Sequence, residues 1–265
     1  MIGFKSLTPK LLDRPPKAVL IDLDNTLYAY APCHEAASRR VEDKVMQVLG
    51  IDREIFREAA LRARDEIKSR LGRTASSHSR LLYFQRAMEL LGLHTQTMLT
   101  LDLEQTYWRT YLATSSLFDG VVEFFELLKQ LGIPTAIVTD LTAQIQFRKI
   151  IYLELDHLVD HIVTSEETGV DKPAEFPFQL ALAKLGVAAD GCWMIGDSAE
   201  GDMLGARKLG LYAVQKVHRG VKIGKGEAGP DAMFEHFDDL CAQLRRLVRG
   251  LPIEQLPEDS AAEAS

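Results

Sequence analysis

The chain has 265 residues, 46% of them hydrophobic and 26% charged, which suits a globular protein of one large or two modest domains. Its 38 acidic residues outnumber the 31 basic ones, a net charge of −7, and that balance speaks against a general nucleic-acid partner. No run of about 18 apolar residues is present to cross a membrane, so no membrane partner is expected. The N-terminal residues lack the long apolar run of a signal peptide. Cys33, Cys192 and Cys241 lie far apart with no CxxC spacing, which argues against a disulfide framework or zinc site and for a reducing, cytoplasmic setting.

Short apolar runs at 18–23, 135–139, 161–164, 192–195 and 211–214 read as buried strands, with 232–234 as a further short one. Residues 119–131, 142–155, 173–185 and 200–209 carry helical spacing of apolar residues, and a last helix is expected to end near Arg249. Strands alternating with helices predict an α/β fold, a parallel sheet covered on both faces. Between 34 and 116 no strand is evident. Leu-Gly pairs at Leu49-Gly50, Leu71-Gly72 and Leu91-Gly92 punctuate four helical stretches, about 34–49, 53–71, 79–91 and 98–115, since glycine suits the position past a helix end.

A structureless loop of that length is implausible in a compact domain. The economical division is an α/β domain from 1–26 and 117–250, with a helical domain inserted at 27–116. The insert carries 13 basic and 11 acidic residues, so most of the negative charge lies outside it. The acidic Ala/Glu/Ser-rich tail, 251–265, reads as disordered.

Asp22-Leu23-Asp24-Asn25-Thr26 directly follows the first apolar strand, and ligand sites of open α/β sheets lie at that edge. Read alone, the motif is also compatible with a solvated acidic turn. Gly196-Asp197-Ser198-Ala199-Glu200-Gly201-Asp202 follows a second strand, where Asp197 or Ser198 would equally serve as a helix N-cap. Thr139 ends a third strand, placed to bind a phosphoryl oxygen or simply to cap the strand. Lys172 precedes Pro173, which fits the first turn of a helix; a lysine there is commonly a solvated one.

Together and in this order, the four motifs resemble the haloacid dehalogenase-like hydrolases, and specifically their phosphatase branch. The resemblance covers about 17–240. It implies a Rossmann-like core and identifies the helical insert with a type-1 cap. It also implies that Asp22 is the nucleophile that forms an aspartyl-phosphate and Asp24 the general acid and base. Thr139 and Lys172 would hold the phosphoryl group. Mg²⁺ would be held by Asp22, Asp24 through its backbone carbonyl, and Asp197, with Asp202 ordering the metal site. The physics is consistent. Mg²⁺ prefers oxygen ligands, crowded carboxylates need a cation nearby, and a carboxyl that moves between two protonation states can serve both half-reactions.

Asn25 and Asp140 beside the motifs are candidate substrate contacts. Arg73, His78 and Arg80, in a polar stretch between two helices of the insert, are placed to read a second anionic or polyhydroxylated group, or else form a solvated loop capped by Ser79. The expected activity is Mg²⁺-dependent hydrolysis of a small phosphorylated metabolite such as a sugar phosphate, a phosphoglycolate-like acid or a nucleotide monophosphate, by a monomer or homodimer. A phosphomutase, or a non-catalytic phosphometabolite-binding protein on the same fold, are the alternatives.

Overall fold

The computed structural model describes residues 3–8, 11 and 13–250; the tail expected to be disordered lies outside them. In chain order the strands are β1 (Lys5–Ser6), β2 (Val19–Ile21), β3 (Thr135–Thr139), β4 (His161–Thr164), β5 (Trp193–Gly196), β6 (Tyr212–Lys216) and β7 (Ala232–Phe234). Among the described residues these form one sheet in the order β1-β7-β6-β5-β2-β3-β4. Every pairing is parallel except that of β1 with β7. Strand β2 is central, with Ile21 level with Ile137 on one side and Ile195 on the other. The chain therefore leaves β2, β3 and β5 at one edge, and the order reverses beside β2, where open α/β sheets place their ligands.

The alternation of side chains along a strand splits the core in two. Val19, Ile21, Ile137, Ile195 and Val214 face one side, with α5 (Val121–Gln130) and α10 (Phe237–Arg249). Leu20, Ala136, Val138 and Met194 face the other, under α8 (Glu175–Leu185) and α9 (Leu204–Lys208). Strands buried on both faces explain why the sequence shows plain apolar runs rather than alternation.

Four helices follow β2: α1 (Tyr30–Leu49), α2 (Arg53–Leu71), α3 (Arg80–Leu90) and α4 (Thr97–Thr114). No strand interrupts them among the described residues. Helix α1 ends at Gly50 in the left-handed conformation, α2 starts at Asp52, whose carboxylate accepts from the Glu54 amide, and α3 starts at Ser79, whose hydroxyl accepts from the Leu82 amide. The helices pack α1 on α4 and α2 on α3 around Phe56, Phe84, Leu103, Tyr107 and Tyr111. The two ends of this segment lie side by side, with the Phe118 amide donating to the Leu27 carbonyl at 2.9 Å.

Two features were not anticipated. The edge strand β1 is two residues long, too short to leave a periodic signal. The expected helix over 200–209 begins as a π-turn, Ala199–Met203, before α9. Amides of both Asp202 and Met203 donate to the Ser198 carbonyl, and the widened turn carries Asp202 fully out of solvent. The helices α6 (Ala143–Tyr152) and α7 (Ser165–Thr168) complete the set.

Candidate active site

The sheet edge brings together the residues singled out in sequence. Asp22 leaves β2 with its amide tied to the Ile195 carbonyl of β5 at 2.9 Å. The Lys172 ammonium is buried and donates to Asp22 Oδ1 at 2.7 Å, Asp202 Oδ1 at 2.6 Å and the Val138 carbonyl at 3.0 Å. Its three donors are thus all spent, which fixes its position between two carboxylates. Thr26 links the first and last motifs: its hydroxyl donates to Asp22 Oδ2 at 2.9 Å and accepts from the Asp197 amide at 3.0 Å.

Asp202 accepts from Lys172 through one oxygen and from the Ser198 amide through the other, at 3.0 Å. A Cβ on Gly196 would lie 2.3 Å from Asp202 Oδ2, so the inward turn of Asp202 requires glycine there. Asn25 sits at positive φ and donates to Asp197 Oδ2 at 2.6 Å. Its side chain braces Asp197 and lines neither cavity described below, unlike the substrate contact expected of it.

Asp24 has a different setting. Lys149 of α6 donates to both its oxygens, at 2.6 and 2.7 Å. Tyr28 donates to Asp24 Oδ1, and the Gln146 amide reaches Oδ2 at 3.2 Å. Burial pushes this carboxyl up, but Lys149, Tyr28 and Gln146 together outweigh it and hold Asp24 below its ordinary value. Gln146 also donates to Thr139 Oγ1 at 2.6 Å and to the Asp140 carbonyl at 2.7 Å. Asp140 accepts from the Lys172 amide at 3.0 Å.

The other acids move the opposite way. Burial, reinforced by Asp202 and Asp24 and opposed by Lys172, raises Asp22 to about 7. Burial and the neighbouring Asp22 raise Asp197 to about 6, and burial with Asp197 raises Asp202 to about 6. Oxygens of these three lie within 4.8 Å of one another. A donor set of carboxylate oxygens suits a hard divalent ion such as Mg²⁺.

Asp22, Asp24, Thr139, Asp140, Lys172, Asp197 and Asp202 line a cavity of about 240 Å³, together with Tyr30, His78 and Arg80. His78 Nε2 lies 3.0 Å from Asp171 Oδ2. Arg80 donates to the His78 carbonyl and the Tyr30 hydroxyl, at 2.8 and 2.7 Å. Arg73 does not join them: it is exposed, pairs with Glu200 and lines neither cavity. Its partner lies at the start of the π-turn, so an arginine that looked free in sequence is used as a surface tie.

A family model for haloacid dehalogenase-like hydrolases matches residues 16–210. The chain belongs to that family. It is 42% identical over 198 residues to a ribulose-1,5-bisphosphate 5-phosphatase of Halopiger xanaduensis, covering 74% of this chain and 83% of the relative. It is 30% identical over 204 residues to a glyceraldehyde 3-phosphate phosphatase of Methanopyrus kandleri, covering 77% and 84%. In fold it is similar to a crystal structure of a phosphatase of this family from Thermococcus onnurineus, with TM-score 0.63 and 24% identity over 86% of this chain and 97% of the other.

In this hydrolase, Lys149 and Gln146 are the site residues that sequence reasoning missed. Both are buried, yet Phe147 between them is 48% exposed. The inversion of burial is the mark of a helix turned toward a polar site, but a Lys and a Gln in an amphipathic stretch look like its solvent face.

Proposed function

We propose that this chain is a Mg²⁺-dependent phosphatase acting on a small phosphorylated sugar or sugar acid through an aspartyl-phosphate on Asp22. The observation that carries this reading is a buried lysine bridging Asp22 and Asp202 at the wall of a small cavity that also holds Thr139 and Asp24. The four helices of residues 30–114 act as a cap over that edge, a reading supported by the paired entry and exit of the segment.

Asp22 attacks the phosphorus, and the ester P–O bond breaks. Lys172, its donors committed to Asp22, Asp202 and the Val138 carbonyl, sets its positive charge beside the phosphoryl oxygens, and the Thr139 hydroxyl donates to them, while charge builds there. The leaving alkoxide takes a proton from Asp24; water then attacks phosphorus and returns a proton to Asp24, and the bond to Asp22 breaks to free inorganic phosphate. Asp24 paired to Lys149 is the ionised form that the second half-reaction uses; to serve as the acid of the first it must take up a proton before the ester bond breaks, and water's proton restores the protonated form at the end of the cycle. Asp22, Asp197 and the Asp24 backbone carbonyl would hold Mg²⁺, which when bound would supply positive charge against the phosphoryl group; Asp202 orders the site through Lys172 and the Ser198 amide.

The substrates named for the two relatives, ribulose 1,5-bisphosphate and glyceraldehyde 3-phosphate, are the first to assay. The test is phosphate release from a panel of sugar phosphates and phosphorylated acids with Mg²⁺, with Asp22→Asn as the blank, and a rapid-quench mass measurement of Asp22. Release that depends on Mg²⁺ and Asp22, with a phosphorylated intermediate, is expected. Equal release by Asp22→Asn, or none by the wild type on any member, overturns the reading.

A further inference from the structure

A second cavity, of about 570 Å³, opens among α1, α2, α3 and α4. Tyr30, His78 and Arg80 line both spaces, so these three side chains are the wall the cavities share. The larger cavity has a floor of apolar and aromatic residues, Phe56 and Tyr107 among them, and is lined by the exposed Arg39 of α1, by Arg57 of α2 and by three further cations, Arg64 and Lys68 of α2 and Arg80 of α3.

None of these three cations lies in an ion pair among the described residues. The other charged pair at this cavity, Arg57 with Glu42, is closed by two hydrogen bonds of 2.9 and 2.6 Å, and Glu35 is on the exposed rim. Arg80 Nε is buried with no partner, while its guanidinium rests 5.2 Å from the Tyr107 ring centre. Burial, then the charges of Arg64 and Arg80, lower the Lys68 ammonium. Three cations gathered on a partly apolar cavity repel one another, and an anion among them relieves that cost.

Resting on the phosphatase reading above, we infer that this cavity is a distal anion subsite. It takes the second phosphate of a doubly phosphorylated substrate, on Arg64, Lys68 and Arg80, while the first phosphate sits at Asp22. Tyr30 and His78, on the shared wall, face the short hydroxylated chain between the two. The sequence placed a second anion on Arg73, His78 and Arg80; the fold replaces Arg73 by two residues a helical turn apart on α2.

The test compares a ketopentose 1,5-bisphosphate with its 5-monophosphate. Binding of each to Asp22→Asn is followed by calorimetry at fixed salt, and hydrolysis of each by the wild type is followed by phosphate release. The bisphosphate should bind about tenfold tighter or more, the scale of a charge-assisted contact. Arg64→Gln with Lys68→Met should erase that preference, in binding and in the ratio of kcat/KM values, and Lys68→Arg should retain it. An undiminished preference in the double variant, or equal binding of the two ligands, overturns the subsite. Equal hydrolysis of both substrates does so while leaving the phosphatase reading intact; hydrolysis of neither, nor of any panel member, removes both.

Discussion

At the sheet edge, charge is answered by charge from within the protein. Lys172 has two carboxylates, Lys149 has Asp24, and Asn25 and Thr26 hold Asp197. Across Tyr30, His78 and Arg80, the helical cavity carries Arg64, Lys68 and Arg80, which lie in no ion pair among the described residues. The difference teaches how two parts of one site divide their labour. Where bonds change, groups must stand in fixed positions before substrate arrives. Where only a charge is recognised, the ligand itself can supply the missing sign.

Substitutions at the two regions should therefore differ in kind. The largest effect is expected of Asp22→Asn, which removes the proposed nucleophile: turnover should fall to that of the uncatalysed control and no phosphorylated enzyme should be trapped. Residual turnover with a trapped intermediate would place the nucleophile elsewhere. Lys149→Met comes next, leaving the half-buried Asp24 without its buried cation. A loss of about 1–3 kcal/mol in urea unfolding is expected, the scale of hydrogen bonds to a charged group rather than of a fully buried pair. A change under roughly 0.5 kcal/mol, typical of an ordinary surface substitution, would mean that the pair is not structural.

Gly196→Ala is expected to cost about 1–3 kcal/mol, as overpacking does, and to lower activity as well, because the new methyl displaces the Asp202 that holds Lys172. A variant of wild-type stability and rate would show that Asp202 can move without consequence. The smallest effect belongs to Arg73→Gln. An exposed pair contributes about 0.2–1 kcal/mol, so stability should barely change, and kinetics on the bisphosphate should match the wild type. A large rise in KM there, with none for Arg64→Gln, would invert the comparison.

Much of the α/β core could be read from the sequence because its strands are buried on both faces and therefore apolar without interruption. Glycines past the ends of α1, α2 and α3 separated the four helices of the 30–114 segment. Asp22, Asp24 and Asp197 were legible because each stands just beyond a strand, and Thr139 because it ends one, where topology decides that they meet; Lys172, which follows α7, was legible only through its place in the order of the motifs. Lys149 and Gln146 were not: they come from the middle of a helix, and only the packing of α6 turns their face inward. Arg64 and Lys68 were hidden for a related reason. On a helix with eight other acidic or basic residues, nothing local separates a cation at a cavity from one in solvent. Arg73 was misjudged because its partner, Glu200, is 127 positions away.

Asp171 and Lys172 are neighbours in the chain, joined by one peptide unit. Asp171 receives His78 from the helical side, and its own amide donates to the Arg73 carbonyl at 3.1 Å. Lys172, on the other side of that peptide, grips Asp22. Any tug that lifts the 73–78 stretch away from the sheet is thus delivered, through a lever one residue long, to the ammonium beside the nucleophile. On the cap reading proposed above, seating the helices and aiming the lysine are mechanically a single motion.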